Sequence, residues 1–488
     1  MSNRIQKAIS TIAVAIIVII IIVAAGIGVY VATRTTTTTT TTSSSTTSTT
    51  TSATSSTSSL TSTTSSSSVQ LVACNTMTLV FCFPTIGKGS NATLTSNETI
   101  TIGVLTDETS ELASIGVGIG YAAQLGAANF DKWLHANDTS WGNLNFTTDV
   151  LNYALNTQTA MTDLSTLSTE GVTVAVGPLD SGTLGNIYST AASDHIVLIS
   201  PSSTSVLLAG ISPYVYRTVP NDAFQGLADA REMYQDGVRN LIIVYTDTAY
   251  GSGLANATAA RFRALGGNVT TEIPYPSTTT DFTTVLSTLS SAWSTATTNA
   301  GGNASSVAIQ AIGYQEIGAL LQQASTQDPA LLKTAQPWYG TDGESANSAF
   351  TNSTYASYSA DVRLPSTLYA PTNTSATNSI CMEIDAGSPG GCSAYALAAY
   401  DNTWLAAEAI LQCGENNGAC LTTAIGQVAN ESVGVTGPMT LGSNHDRVAN
   451  EYDIYDIVTI SGTVQWVIAG NWTVTSDIVS WNSYRPSY

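Results

Sequence analysis

The chain has 488 residues, of which 14 are Lys or Arg and 34 are Asp or Glu, so its formal net charge is −20 and only 10% of its residues are charged. Nucleic-acid binding needs clustered basic residues that contact phosphates, and the few basic residues here are scattered along the chain, which excludes that class. With 43% hydrophobic residues, a chain of this length can bury more than one core, so we expect at least two lobes.

The N-terminal residues predict a membrane anchor. Residues 1–8 carry Arg4 and Lys7 and no acid, and the uncharged apolar run of residues 9–33 is long enough to cross a bilayer as one transmembrane helix. The positive-inside rule places the basic end in the cytoplasm and the rest of the chain outside. A secretory signal peptide is the alternative, but its apolar region is only about 7–15 residues long.

The junction of the basic end with the apolar run, Lys-Ala-Ile-Ser at residues 7–10, resembles the class III, prepilin-like signal of archaeal flagellins, pilins and some surface solute-binding proteins. The resemblance implies cleavage after Ala8, which leaves the apolar helix on the protein. A plain uncleaved anchor is the other interpretation.

Residues 34–68 predict a disordered stalk. They are almost all Ser or Thr, and such a tract lacks the apolar surface that would offset the entropy lost on ordering. Extended at about 3.1 Å per residue, the stalk could hold a domain on the order of 100 Å from the membrane. Its hydroxyls suggest O-glycosylation, with an unmodified linker as the alternative. Residues 69–98 form a cysteine-containing segment before the first predicted strand, and we assign no function to it.

Cysteines and glycosylation motifs both indicate an exported protein. Six cysteines form three close-spaced couples without the C-x-x-C spacing of zinc or redox sites, so we expect three local disulfides, although six cysteines allow 15 connectivities. These cysteines are Cys74, Cys82, Cys381, Cys392, Cys413 and Cys420. Of eleven Asn-x-Ser/Thr sequons, the N-glycosylation candidates singled out are Asn91, Asn97, Asn137, Asn145, Asn256 and Asn471.

From Thr99 onward, short apolar β-branched runs alternate with amphipathic stretches. The predicted strands are residues 100–105, 172–176, 196–199, 241–245, 307–312 and 338–340, and helical spacing is clear at 253–265 and 315–325. Alternation of strands and helices predicts parallel sheets covered on both faces. We therefore expect an α/β fold with two doubly wound parallel-sheet lobes.

The segments that follow five of these strands are rich in hydroxyls and glycines and include two tyrosines and an acid. They are residues 177–182, 200–205, 246–251, 313–314 and 341–343. Ligands of such sheets bind beyond the carboxyl ends of the strands. Hydroxyls and backbone N–H groups can hold a carboxylate, aromatic faces can cover a ligand, and an acid can pair with an ammonium. The pattern predicts a site for a small polar ligand.

Motifs of the common enzyme classes are missing or misplaced. The sequence has no G-x-S-x-G elbow, no H-E-x-x-H and only three histidines, which makes a catalytic triad improbable. Residues 118–123 match a loose dinucleotide fingerprint, but they begin about thirteen residues after the strand instead of directly after it. We expect a binding protein without catalysis, cofactor or metal.

Taken in order, these segments resemble the type I periplasmic binding proteins, specifically the branched-chain amino-acid (Leu/Ile/Val) substrate-binding components of ABC transporters. The resemblance spans about residues 99–472. Its motifs include Val-Gly-Pro-Leu-Asp-Ser-Gly at 176–182, Tyr-Arg-Thr-Val-Pro-Asn-Asp at 216–222, Gly-Thr-Asp-Gly at 340–343 and Asn-His-Asp-Arg at 444–447.

That resemblance implies two lobes joined by a three-strand hinge, with the ligand in the cleft between them. Lobe 1 would comprise residues 99–219 and 371–438, lobe 2 residues 220–370 and 439–488, with crossings near 217–222, 368–372 and 437–442. By the same resemblance, Ser181, Ser202 and Thr204 would hold the α-carboxylate of a ligand. Tyr250 and Tyr314 would cover the ligand from the second lobe, and Asp342 would pair with its ammonium.

Each of these residues has an ordinary structural role as its alternative. Helix capping is the alternative for the three hydroxyl residues. A turn or core packing is the alternative for the two tyrosines, and a plain turn for Asp342. Asp342 stands where the family often has the longer Glu. Asp222 is a weaker polar candidate, because its Pro-Asn-Asp segment is expected to cap the next helix.

We therefore expect a cell-surface protein, anchored in the cytoplasmic membrane of an archaeal cell with its C-terminal domain outside. It would capture an amino acid or a related small zwitterion and deliver it to an ABC permease. A pilin-like filament component, with homo-assembly through the N-terminal helix, and a ligand-sensing surface protein are the alternatives. The low charge content also favours an acidic exterior.

Overall fold

The computed structural model describes residues 81–333, 338–352 and 354–485. The predicted basic segment, transmembrane helix and stalk, together with Cys74, lie outside the described residues. Within the described ranges, no helix is long and apolar enough to cross a membrane.

The first sheet is five-stranded and parallel, in the order β2-β1-β3-β4-β5. Its central strands are buried on both faces, as in parallel sheets covered by helices, and they coincide with predicted strands. Val104 of β1 lies opposite Val150 of β2 on one side and Val176 of β3 on the other. The strands are β1 (Thr99–Thr106), β2 (Asn145–Asn152), β3 (Val174–Val176), β4 (Val197–Ser200) and β5 (Val215–Arg217).

Helices cover both faces of this first sheet. Three come from the connections between its strands: α1 (Ala113–Asn137), α2 (Thr157–Thr169) and α3 (Ser181–Ser193). Three more come from much later in the chain: α10 (Thr377–Gly387), α11 (Ala394–Cys413) and α12 (Gly418–Glu431). Residues 118–123, the loose dinucleotide match, lie inside α1, where a side chain at Gly118 would meet the carbonyl of Gly391 at 2.7 Å. That glycine serves close helix packing.

The second sheet is parallel, in the order β7-β6-β8-β9. Its strands are β6 (Asn240–Thr246), β7 (Asn268–Tyr275), β8 (Val307–Ile312) and β9 (Trp338–Tyr339). Its helices are α4 (Asp222–Gln235), α5 (Ala249–Ala264), α6 (Thr283–Asn299), α7 (Glu316–Gln327), α8 (Ala349–Asn352) and α9 (Ala356–Val362). Ile242 and Val244 pack into one hydrophobic cluster and Leu241 and Ile243 into another, so both faces of β6 are buried. The predicted α/β fold with parallel sheets is confirmed.

A third, antiparallel sheet was not predicted. Its order is β10-β13-β14-β15, and Gly340 bridges to Ser366 of β10 directly after β9. β13 alternates between buried and half-exposed positions over its first six residues and β14 is mostly half-buried, so neither resembles a strand that is buried on both faces. The strands are β10 (Ser366–Tyr369), β13 (Glu451–Ile460), β14 (Thr463–Thr473) and β15 (Ile478–Trp481); β11 (Val433–Gly434) pairs separately with β12 (Gly437–Pro438). The assignment of residues to two lobes stays a prediction.

The exposed face of α6 is covered with hydroxyls instead of charges. The hydroxyls of Thr288, Ser291, Ser294, Thr295 and Thr298 each donate to the carbonyl four residues earlier, at 2.8–3.0 Å. The hydroxyl oxygens remain acceptors for water. This face is polar without ionisable groups.

The cysteines follow the predicted local pairing where the structure describes both partners. Cys381 is bonded to Cys392 and Cys413 to Cys420, with Cα atoms 5.2 and 6.0 Å apart. Cys82 is disulfide-bonded. Of the glycosylation candidates, Asn91, Asn97, Asn137 and Asn256 are exposed, and Asn145 and Asn471 are half-buried; glycosylation stays a prediction.

A buried ion pair joins the first predicted crossing to the segment that follows the third. The Arg217 guanidinium donates to both carboxyl oxygens of Asp446, at 2.6 and 2.7 Å, and the two side chains are 1% and 3% exposed. Arg217 also donates to the carbonyls of Ser203 and Ser205, at 3.3 and 2.7 Å. The pair therefore supports the loop after β4.

A second guanidinium touches all three predicted crossings. Arg447 donates to the carbonyls of Thr218, Thr436 and Pro438, at 3.3, 2.8 and 2.8 Å. It also lies 5.4 Å from the centre of the Tyr369 ring. These contacts hold the crossings side by side.

We expect Asp446→Asn to lower the free energy of unfolding by about 3–5 kcal/mol, because it leaves the buried Arg217 charge without a counter-ion. Urea unfolding followed by tryptophan fluorescence measures the change. The control is Glu272→Gln, which breaks the exposed Arg263–Glu272 pair of 2.8 Å and should cost less than about 1 kcal/mol. Equal losses in the two variants would contradict the role given to the buried pair.

Candidate ligand-binding cleft

A cavity of about 30 Å³ lies where the carboxyl ends of the first and second sheets face each other. The structure brings all six predicted ligand residues to this one cavity, although their roles toward a ligand stay predictions. Its walls are formed by Leu112, Ile115, Leu179, Asp180, Ser181, Ser202, Thr204, Tyr250, Tyr314, Asp342, Gly343 and Tyr395.

One wall consists of hydroxyls around the start of α3. Asp180, not Ser181, caps this helix: its carboxylate accepts from the backbone N–H of Thr183 at 2.8 Å. The Ser181 hydroxyl instead accepts from the backbone N–H groups of Thr204 and Ser205, both at 3.2 Å. Asp180 and Ser181 both line the cavity, so the positive dipole end of α3 lies beside it, which suits a carboxylate.

Ser202 and Thr204 come from the loop after β4. The Ser202 hydroxyl donates to the carbonyl of Leu179 at 2.8 Å, which joins this loop to the one after β3. The backbone carbonyl of Thr204 accepts from the N–H of Asp222 at 2.8 Å. Both residues are thus held by contacts to neighbouring loops, and their position against the cavity is fixed before any ligand binds.

The opposite wall is aromatic. Tyr250 and Tyr314 stack with ring centroids 5.4 Å apart and an angle of 9° between the rings. Tyr250 lies in the first turn of α5, after β6, and Tyr314 lies between β8 and α7. Neither tyrosine is only a core residue, because both line the cavity.

Asp342 lies at the bottom of this wall and is 4% exposed. Its Oδ1 accepts from Gln225 at 3.0 Å and from the Tyr250 hydroxyl at 2.7 Å, and its Oδ2 accepts from the Tyr395 hydroxyl at 2.5 Å. Burial raises the pKa of Asp342, and these three hydrogen bonds oppose the rise. A carboxylate can accept about four hydrogen bonds, so one position is left for a ligand ammonium.

Asp222 is a second buried acid next to this wall. Asn221 caps α4, and Asp222 is the first residue of that helix with 0% exposure. Thr204 lies near its carboxyl, but within the described part of the chain neither carboxyl oxygen has a partner in hydrogen-bond geometry. Burial, and then the negative charge of Asp342, raise the pKa of Asp222 well above its usual value.

The loop that carries Asp342 is held by another buried acid. Glu344 accepts from the backbone N–H of Gly313 and from that of Thr341, both at 2.8 Å, and so joins the loops after β8 and β9. A side chain at Gly343 would come within 2.0 Å of the Gly313 carbonyl, so only glycine permits this approach.

Sequence reasoning missed several residues of the cavity. Leu112 and Ile115 follow β1, and Asp180 directly precedes the predicted Ser181. Their positions after strands could therefore have predicted that they line the cavity. Tyr395 follows no strand: it lies in the first turn of α11, three residues after Cys392. No pattern in its own segment signals its contact with Asp342.

The comparisons with known proteins agree with this architecture. A family model described as a periplasmic binding protein matches residues 99–462. An uncharacterized protein of Methanocaldococcus jannaschii is 29% identical over 402 residues, which are 78% of this chain and 91% of that protein. The chemotactic signal transduction system substrate-binding protein BasB of Halobacterium salinarum is 35% identical over 108 residues, which are 20% of this chain and 25% of that protein.

The crystal structure of a leucine-binding protein, LivK, of Thermotoga maritima is similar to this chain in its fold. The TM-score is 0.62 at 20% sequence identity, and the match covers 75% of this chain and 97% of that one. This likeness shows the shared fold.

The buried acids beside the cleft make stability depend on pH. Burial raises the pKa of Glu316 from 4.5 to about 7. A group with a raised pKa stabilises the fold fully below its unfolded-state pKa, and this stabilisation is lost as the pH rises through the folded-state value.

We expect Glu316→Gln to remove one part of this dependence, since the amide keeps an acceptor for the Tyr275 hydroxyl, which lies 2.8 Å from Glu316 Oε1. Between pH 4.5 and about 7 the wild type should lose about 3 kcal/mol relative to the variant. Denaturant unfolding across this range measures it. The same substitution at exposed Glu170 should give a curve parallel to the wild type, and a parallel curve for Glu316→Gln would contradict the assignment.

Proposed function

The chain belongs to the periplasmic binding protein family, and on that premise we propose that it captures an amino acid or a related small zwitterion in its cleft and delivers it to an ABC permease. One observation carries the proposal: hydroxyls, stacked tyrosines and a buried aspartate from different parts of the chain surround a single cavity. Each group matches one part of a zwitterion.

The two sides of the cavity offer opposite electrostatics. On the side of the first sheet, the positive dipole end of α3 favours a carboxylate, next to the Asp180 carboxylate that caps it. On the side of the second sheet, Asp342 favours an ammonium. The two groups of an amino acid therefore bind to different lobes, and affinity depends on both lobes closing on the ligand.

The cavity of about 30 Å³ holds about one water molecule and is too small for a whole amino acid. The ligand must therefore enter while the lobes are apart. Closing contacts between the two sides include the 2.5 Å bond from Tyr395 to Asp342 and the 2.9 Å bond from Ser114 to Asn347. A hinge at the predicted crossings, held together by Arg447, provides such a motion.

In this proposal the protein binds and releases its ligand unchanged. Of the residues that the structure describes, those lining the cavity include no histidine, cysteine or lysine, which are common nucleophiles and bases in catalysis. Asp342 is committed to three hydrogen bonds, and burial raises the pKa of the Tyr250 hydroxyl well above its usual value. These groups are suited to hold charge and shape.

Membership of this family supports a location outside the cytoplasm. We propose that residues 9–33 anchor the protein in the cytoplasmic membrane, with the prepilin-like junction at Ala8 as the processing site, and that the Ser/Thr stalk carries the binding domain to the cell surface. Homo-assembly through the N-terminal helix is compatible with this arrangement.

A second function, ligand sensing, is favoured by one observation. The partial match to BasB concerns a substrate-binding protein of a chemotactic signal transduction system. In a sensing role the same cleft would bind the same class of ligand, and the closed form would be recognised by a signalling partner instead of a permease.

Asp342→Asn should weaken binding of the zwitterion on the order of 100-fold, because a buried ammonium would lose its charged partner. Isothermal titration against single amino acids measures the loss. Asp361→Asn changes an exposed acid and serves as the matched control, with unchanged affinity expected. Unchanged affinity in Asp342→Asn, with the fold intact by circular dichroism, would refute the role of Asp342.

The full-length protein should stay with the membrane fraction after a carbonate wash, because a spanning helix resists extraction. Deletion of residues 9–33 should release it, whereas deletion of residues 34–68 should not. N-terminal sequencing of the native protein then distinguishes a start at Ile9, which prepilin-type cleavage would produce, from a start at Met1 or Ser2. Release of the full-length protein by the wash would contradict the anchor.

A further inference from the structure

We propose that the ligand is a basic amino acid whose cationic side chain occupies a second cavity, adjoining the first. This inference rests on the proposed function and specifies the class of ligand. The second cavity has a volume of about 340 Å³ and shares Asp180 and Tyr314 with the first as walls. It therefore extends the small cavity outward, in the direction in which a long side chain would point.

The second cavity lies between the two sides of the cleft. Glu111 and Asp180 come from the loops after β1 and β3 of the first sheet, and Thr248 and Tyr314 come from the loops after β6 and β8 of the second. Because both sides contribute walls, a side chain placed here would be enclosed when the lobes close. The available volume exceeds what the side chain of a branched apolar amino acid would fill.

The charge in this cavity is negative. Among the described residues that form its walls, Glu111 and Asp180 are the only charged side chains, and neither Lys nor Arg is present. Asp107 adds a further negative charge close to Glu111. A cationic group would neutralise these acids, whereas an apolar side chain would remove them from water without a partner, which is costly.

Both acids keep acceptor capacity for a ligand. Asp180 accepts one bond at each oxygen, from the Tyr153 hydroxyl at 2.7 Å and from the N–H of Thr183 at 2.8 Å, so each oxygen has a lone pair left. Glu111 is half-buried and lies near Gln315 of the opposite side of the cleft. Several convergent acceptors of this kind fit a guanidinium or an ammonium, which carry only donors.

The remaining walls suit the stem of such a side chain. Leu155 and the ring of Tyr314 supply apolar and aromatic surface next to the acids. The methylene groups of lysine or arginine pack on such surface while the charged end reaches polar partners. A cation near the Tyr314 ring gains a further electrostatic attraction.

The test compares ligands of similar shape with and without a positive charge on the side chain. Isothermal titration of the full-length protein in detergent would use L-arginine against L-citrulline, its neutral analogue, and L-lysine against L-norleucine, with L-leucine as a further ligand. Arginine and lysine should bind at least tenfold more tightly than their neutral analogues, because hydrogen bonds to a charged group are the stronger ones.

Two variants test whether Glu111 causes the preference for a charged side chain. Glu111→Gln should reduce arginine affinity on the order of tenfold and leave citrulline affinity nearly unchanged. Glu108→Gln makes the same chemical change three residues earlier, outside this cavity, and should alter neither. Thermal unfolding of the ligand-free variants checks that each one folds.

The outcomes separate this inference from the proposed function. Tight binding of leucine, norleucine or citrulline, with arginine and lysine equal or weaker, would overturn the inference and keep the proposed function. Equal loss in Glu111→Gln and Glu108→Gln would also overturn it. Binding of none of the five ligands would overturn the inference, and failure of every other zwitterion as well would overturn the proposed function.

Discussion

The ligand cleft depends on the buried positive charge of Arg217. A guanidinium does not lose its proton in proteins, so this charge requires an acid inside the fold. Asp446 meets that need from 229 residues further along the chain. The same guanidinium holds the carbonyls of Ser203 and Ser205, and the loop between β4 and β5 thereby brings Ser202 and Thr204 to the cavity. The Arg217–Asp446 ion pair thus connects the first predicted crossing to the loop that forms one wall of the cavity.

The cleft also concentrates acids that the protein itself does not fully neutralise. Asp342 and Asp222 are both buried and raise each other's proton affinity, while the nearby Arg217 is already paired with Asp446. Polar contacts continue inward, since Gln225 connects Asp342 to Thr367, and Thr367 donates to buried Asp229. Burial raises the pKa of Asp229 to about 8. Ammonium groups of a ligand would supply positive charge where this network has a deficit.

Much of the fold and part of the site could be predicted from the sequence. Strands buried on both faces, such as β4 and β8, stand out as apolar runs, and the segments after them meet at one edge. This predicted the segments that contain Ser181, Tyr314 and Asp342, whereas the roles of these residues came from the family resemblance. The antiparallel strands β13 and β14 were missed because they are only half-buried, unlike the strands buried on both faces that stand out as apolar runs. Tyr395 was missed because it reaches Asp342 only through tertiary packing of α11, 53 residues away in sequence. The Pro-Asn-Asp segment caps α4 as predicted, through Asn221, and Asp222 is the first residue of that helix.

The hydroxyl-covered face of α6 has a consequence for how copies of this protein behave together. Surfaces rich in carboxylates keep molecules apart by mutual repulsion, which fades when the acids are protonated or salt screens them. Hydroxyls bind water without carrying charge, so the hydration of this face does not depend on the protonation of acids. In a crowded layer of such domains, bound water would then keep the molecules apart more than charge repulsion does.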